Sequence, residues 1–198
     1  MGNTPLDDTS LDTLFREARS YSYWQEKEVS DEQIQAIYDL LKMGPTGVNS
    51  TPARFVFIKS DEGKELLKPS LAEGNVSKAM SAPVVAVIAW DSEFYTKLER
   101  LWPHQPEARE WYEGKPEKIE SVGKLNGTLQ AAYLIMAARS LGLDCGPMSG
   151  FDNDVLDKAL FPDGKWRSNI ICAIGYGVDE KLHPRGPRLE FNEACKIL

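Results

Sequence analysis

The stretch Gly146-Pro147-Met148-Ser149-Gly150-Phe151-Asp152 follows directly on a near-continuous apolar run from Leu129 to Leu143. An apolar helix that breaks at Gly142 and delivers small residues predicts a loop whose backbone N–H groups meet something that approaches the main chain closely. A planar cofactor suits such a loop better than a protein side chain does. Upstream, Leu129, Ala131, Ala132, Tyr133, Leu134, Ile135, Met136, Ala137 and Ala138 leave the 127–143 helix with hardly a polar face, so it must be covered on every side. A subunit interface covers it more easily than one small domain, and a homodimer is expected.

The neighbouring segments read as helices and strands in turn. Ser30 with Gln33 forms a capping-box pattern, Ile34, Ile37, Tyr38 and Leu41 mark one helical face, and Gly44-Pro45 closes the helix. Arg54 to Lys59 predicts a strand, and Ser60 to Gly63 opens a short helix limited by Pro69. The run Pro83 to Trp90 has β-branched residues on both faces, as a central strand buried between helices requires. From Asp91 to Glu120 the chain turns polar but keeps Phe94, Tyr95, Trp102, Trp111 and Tyr112, a mixture suited to a helical excursion or lid. Packing of that excursion onto the core accounts for most of these aromatics, leaving one or two for a ligand. A short helix from Asp152 to Leu160, a second buried strand from Asn169 to Gly177, and a basic irregular tail with Arg185 and Arg188 complete the chain. The rhythm is not strictly βαβ, so the expected class is α+β, a mixed central β-sheet flanked by helices.

Size and composition agree with this. The 198 residues are 42% hydrophobic and 27% charged, enough for one well-buried domain spanning 1–198 and too few for two. The net charge is -7 and the basic residues are scattered, which argues against a nucleic-acid or anionic-membrane surface. Cys145, Cys172 and Cys195 are odd in number and far apart, favouring a reducing compartment. The N-terminus has neither a basic n-region nor an apolar h-region, and no segment reaches membrane-span length, so a cytoplasmic location is expected.

Several chemistries lack their signatures. There is no G-x-G-x-x-G between strand and helix, Gly63-Lys64-Glu65 and Gly164-Lys165-Trp166 complete no Walker A loop, and no G-x-S-x-G elbow occurs. His104 and His183 lie too far from the cysteines for a zinc site, so no metal is expected. Hydride chemistry on a cofactor other than a resident dinucleotide stays open.

Five segments, taken in order, resemble the flavin-dependent nitroreductase family: Ala18-Arg19-Ser20, Pro45 to Pro52, Gly74-Asn75-Val76-Ser77-Lys78, Gly146 to Asp152, and the arginine-containing tail. Ser81-Ala82-Pro83, Ala89 to Tyr95, Gln130 to Ile135 and Gly146 to Asp152 resemble most closely the malonic semialdehyde reductase branch associated with pyrimidine degradation. The resemblance implies a nitroreductase-like intertwined homodimer with shared FMN sites and NADH or NADPH as co-substrate. It places Arg19 and Ser20 at the FMN phosphate, with Arg185 and Arg188 as further candidates. Arg188 reads equally well as a solvated charge. Asn75 and Lys78 match the N1/O2 edge of the flavin, where a cation or amide tunes reduction. Pro147, Ser149 and Gly150 fall beside N5, although the same loop serves as a helix-ending turn. Thr46, Asn49 and Thr51 belong to the loop that reaches the flavin from the other subunit, and Asn49 also tolerates a left-handed backbone.

The chain departs from the family at Ala18, Ser22, Thr51, Ala53 and Ser149, where the family often has an arginine, a basic residue, glutamine, an aromatic and an acidic residue. Lys78 is left as the main matched cation near N1/O2. The activity implied is ping-pong hydride transfer through N5, reducing malonic semialdehyde to 3-hydroxypropionate, with no protein side chain assigned as catalytic. A broad nitroaromatic or quinone reductase and a non-enzymatic flavin-binding protein are the competing readings. Arg54, Trp102 and His104 are candidates for a substrate carboxylate and are as easily structural.

Overall fold

The computed structural model describes residues 4–198. Met1, Gly2 and Asn3, which open the 1–198 span read above, lie outside the described residues. The strands are β1 (Ala53–Ile58), β2 (Val84–Asp91), β3 (Asp144–Met148) and β4 (Trp166–Gly175). The α-helices are α1 (Asp8–Leu11), α2 (Asp31–Leu41), α3 (Asp61–Leu67), α4 (Glu73–Ser81), α5 (Leu98–Leu101), α6 (Pro116–Ser140), α7 (Asn153–Leu160) and α8 (Phe191–Ala194).

β2 is buried along its whole length, and its two faces explain why it carries apolar residues without alternation. Val84, Ala86 and Ile88 pack with Ile37 and Leu41 of α2 and Leu134 of α6. Val85, Val87 and Ala89 pack with Leu67 of α3, Ala79 of α4 and Leu156 of α7. Each fully buried Val or Ile contributes about 1.5–3 kcal/mol, so the doubly covered strand anchors both layers. The strand order is β1-β2-β4-β3, with every ladder antiparallel. Among the described residues the mixed character expected from the sequence is confined to one isolated parallel bridge, Ser20 to Cys145, on the outer edge of β3.

Local signals account for several boundaries. Ser30 and Gln33 form the reciprocal capping box at α2, and the Asp152 side chain accepts from Val155 N at the start of α7. β4 spans Trp166–Gly175 where 169–177 was expected, and two boundaries differ more. Gly146-Pro147-Met148 is not loop but the end of β3, paired with Ala173, Cys172 and Ile171 of β4. A Gly-Pro pair is tolerated in a strand because β3 is an edge. Helix α6 starts at Pro116, within the segment expected as excursion, because Gly123 and Gly127 let it lie against Trp90; a Cβ on Gly123 would penetrate the Trp90 ring.

α6 is only half covered. Gly123, Asn126, Gly127, Gln130, Ala131, Leu134, Ala137 and Ala138 form its buried stripe. Leu125, Leu129 and Tyr133 are 64%, 44% and 41% exposed, beside Leu40 and Met43 at 46% and 76%. The remaining apolar stripe therefore has no cover among the described residues.

Candidate functional site

The 19–25 segment runs along the outer edge of β3 and the end of β4. Tyr21 N donates to Cys145 O at 3.0 Å, and Gln25 N donates to Tyr176 O at 2.8 Å. A methyl group on Gly146 would fall well under 3.0 Å from the Tyr21 carbonyl oxygen. The close approach that the bare Gly146 predicted is thus made by the chain itself. The Tyr21 hydroxyl donates to Asp179 Oδ1 at 2.6 Å, and its ring lies on Gly177, where a Cβ would overlap it. Gly177 N in turn donates to Asp144 Oδ2 at 2.8 Å. Burial, then the bond to Asp179, pushes the Tyr21 phenol well above its ordinary pKa. Burial also raises the Asp144 carboxyl, against the Gly177 N–H that lowers it. Arg19 donates to the His183 carbonyl, and its own carbonyl accepts from Arg139 at 3.4 Å.

α4 faces this strap. Trp24 Nε1 donates to Lys78 O at 3.0 Å, and the Lys78 stem passes over Gly146, its Cδ 3.2 Å from where a Cβ would stand. Burial pulls the Lys78 ammonium below its ordinary pKa, and no carboxylate among the described residues opposes that. A half-buried cation without a counter-charge costs stability unless an anion is supplied from outside. At the other end of α4, Asn75 Nδ2 and Ala72 N both donate to Gly150 O, at 2.9 and 3.0 Å. A Cβ on Gly150 would stand 2.8 Å from the Asn75 amide, so Gly150 is also bare for an intrachain contact. Leu71 bridges Phe151, and Asp152 N donates to Ser70 O at 2.7 Å. Ser149 and Gly150 remain exposed on this fastened turn. Arg19, Ser20, Asn75, Lys78, Pro147, Ser149 and Gly150 therefore gather around the β3 edge.

Thr46, Asn49 and Thr51 do not join them. Their loop leads into β1, on the opposite edge of the sheet, and Ala53 is level through Trp90 with Arg167, whereas Cys145 is level with Ile174. Three strand spacings across and seven residues along put the groups roughly 25–30 Å apart. The loop is strained: Val48, Asn49 and Thr51 have φ of 49°, 49° and 38°, at about 1–3 kcal/mol each for non-glycine residues. Gly47 N donates to Asn126 Oδ1 at 2.7 Å, Asn49 Nδ2 to Leu101 O at 2.9 Å and Thr51 N to Thr46 Oγ1 at 3.1 Å. The Ser50 hydroxyl is buried there without a partner.

Arg54 stabilises the same loop and is not free for a substrate. Its guanidinium meets Asp91 Oδ2 at 2.5 Å, Ala53 O at 2.7 Å and Thr51 O at 3.1 Å. Burial works to raise the Asp91 pKa, but Lys97, the Glu93 N–H and Arg54 together hold it below the ordinary value. Phe94, Leu98, Ala108 and Tyr112 form a satellite core with Val48, Trp102 and Trp111 packed against it, so the excursion aromatics serve mainly to seat it. Trp102 meets His104 edge-on at 5.5 Å. In the tail, Arg188 Nη1 donates to Gly186 O at 3.0 Å and Pro187 O at 3.1 Å, and Arg185 is exposed, two residues beyond the His183 carbonyl that Arg19 reaches. A cleft of about 690 Å³, lined by Trp90, Lys124, Asn153 and Arg167, lies apart from the Lys78 group.

Sequence reasoning missed Tyr21, Asp144 and Asp179. The Tyr21-Ser22-Tyr23-Trp24 run was the available signal; its contact with Gly177 exists only in the fold.

A relative from Ralstonia nicotianae, named "Putative NADH dehydrogenase/NAD(P)H nitroreductase", is 49% identical over 98% of both chains. One of the same description from Rhodopseudomonas palustris is 52% identical over 99% of this chain and 100% of its own. The fold matches that of a "putative nitroreductase" from Exiguobacterium sibiricum solved in complex with FMN, with a TM-score of 0.85, 22% identity and complete coverage of both chains. The family model described as Nitroreductase family matches residues 15–176, and the chain belongs to the nitroreductase family.

Proposed function

We propose that this chain is an FMN-dependent NAD(P)H oxidoreductase, a single flavin-binding domain acting as a homodimer, with malonic semialdehyde as the acceptor reduced to 3-hydroxypropionate. The observation that carries the flavin reading is Lys78, a half-buried ammonium without a counter-anion beside Gly146 and the Ser149–Gly150 turn. Arg19 and Ser20 bind the phosphate at the same edge, Lys78 meets the charge that develops at N1/O2, and the Ser149–Gly150 backbone lies at N5. Bound FMN supplies hydride acceptance and donation; the chain supplies orientation and charge.

The dimer reading rests on two features. The Thr46–Thr51 loop lies too far from Lys78 to share a ligand within one chain, and α6 presents Leu125, Leu129 and Tyr133 to solvent. A second copy covers that stripe and brings its own loop to the flavin. The semialdehyde reading rests on the branch resemblance, and small groups at Thr51, Ala53 and Ser149 are compatible with it. The names of the relatives favour a second reading, a broad nitroaromatic or quinone reductase with the same cofactor residues. Free Cys145, Cys172 and Cys195 suit a reducing cytoplasm, and no helix of the described residues is long and apolar enough to cross a membrane.

Anaerobic titration of the yellow holoprotein with NADH or NADPH tests the proposal. Bleaching is expected, followed by reoxidation on adding malonic semialdehyde. Bleaching reversed only by a quinone or nitroaromatic selects the second reading. A protein that binds flavin but does not bleach is a non-enzymatic flavin binder.

A further inference from the structure

The clasp at the ends of β3 and β4 uses Tyr21, Asp144, Gly177 and Asp179, none of them in the segments that carried the resemblance. Tyr21 is fixed at both ends: its N–H holds Cys145 O at 3.0 Å, and its hydroxyl holds Asp179 at 2.6 Å across 158 residues of sequence. Its ring covers Gly177, whose N–H is bonded to Asp144 at 2.8 Å. Arg19 and Ser20 are the residues immediately before it. Their backbone has no regular element of its own; among the described residues the Ser20–Cys145 bridge, the Arg139 bond to Arg19 O and the Tyr21 clasp hold it, and the Arg19 guanidinium is tied to the His183 carbonyl. A strap that must present a guanidinium and a hydroxyl to a phosphate needs such a pin, because loose donors lose affinity through the ordering they must undergo on binding.

We propose that Tyr21, held by Asp179, is a positioning residue that sets Arg19 and Ser20 for the phosphate of the bound flavin; this rests on the FMN reading above. Asp179 is exposed, so removing the hydroxyl returns its carboxylate to water and leaves the ring on Gly177. The effect then falls on the strap rather than on the core.

The test compares FMN with riboflavin, which lacks the phosphate, by fluorescence titration of the apoprotein. Tyr21→Phe is expected to weaken FMN about tenfold, the scale of one hydrogen bond to a charged group, while riboflavin affinity stays unchanged. Asp179→Ala is expected to act in the same direction, and it carries the comparison if Tyr21→Phe does not fold. Equal loss for the two flavins in either variant, or no loss of FMN affinity, overturns the proposal. A wild-type protein that binds neither flavin overturns the FMN reading itself, a different result from a variant that binds FMN normally.

Discussion

Gly146→Ala separates two reasons for a bare backbone in the 146–152 stretch. If the glycine existed only to admit a ligand, the added methyl would block that ligand and leave the empty protein untouched. The structure predicts otherwise. The methyl would fall well under 3.0 Å from the Tyr21 carbonyl oxygen, and 3.2 Å from both Lys78 Cδ and Trp24 Cζ2. The backbone oxygen cannot rotate away as a side chain can, so the strap must retreat on the order of 1 Å to restore ordinary contact, stretching the 3.0 Å bond from Tyr21 N to Cys145 O. Overpacking of this kind costs about 1–3 kcal/mol. At about 2–4 °C per kcal/mol for a chain of this size, the melting temperature drops by roughly 2–12 °C. Circular dichroism melts without flavin measure this, and FMN titration measures the second effect, weaker binding as Arg19 and Ser20 move with the strap. An apoprotein whose melting temperature is unchanged by Gly146→Ala, with FMN binding alone abolished, would refute the reasoning.

Lys78→Met keeps the stem and removes the uncompensated charge. The depressed folded pKa means the unfolded chain binds more protons, so this lysine's penalty is present below its folded pKa and is relieved as pH rises towards 10.5. The variant is expected to be more stable without flavin in denaturant titrations at pH 7, with the bound flavin's midpoint potential lowered by about 30 mV, the equivalent of ~1.4 kcal/mol for two electrons; a raised potential contradicts the assignment. Asp91→Asn breaks a buried carboxylate contact with Arg54 and Lys97 and is expected to cost about 3 kcal/mol at pH 7. The Asp91 pKa is depressed in the fold, so its stabilisation is present above 3.8 and lost as pH falls through the folded value; a variant-to-wild-type gap that does not shrink below pH 3.8 contradicts it. Leu129→Glu puts a charge on the exposed apolar stripe of α6 and is expected to give a folded monomer by sedimentation with FMN binding lost. A dimer that still binds FMN would remove the shared-site argument.

The elements that could be read from the chain are those whose signals are local. β2 announced itself because Val84, Val85, Val87 and Ile88 supply both faces of one strand. α2 and α7 were legible through Ser30 with Gln33 and through Asp152, since a cap acts within four residues. β3 was not legible, because Gly146-Pro147 has turn chemistry and becomes a strand only where an edge position excuses the missing N–H. The start of α6 at Pro116 was hidden for a related reason: its first turns are polar and are held by Gly123 and Gly127 against a strand far away in sequence.

For the site, the chain by itself determined the chemical types: arginine and serine ahead of the strap, Lys78 on a helix, and small residues behind an apolar run. It also raised the expectation that a nearly unbroken apolar α6 needs more cover than one small domain gives. Tertiary structure alone decided that Gly146 and Gly150 are bare for Tyr21 and Asn75, that Arg54 is committed to Asp91, and that the Thr46–Thr51 loop stands at the far edge of the sheet. It alone brought Tyr21 to Asp179. Periodicity and caps are imposed by contacts within a turn or two of the backbone, whereas these pairings depend on which strand ends the sheet places side by side, and no local pattern encodes that.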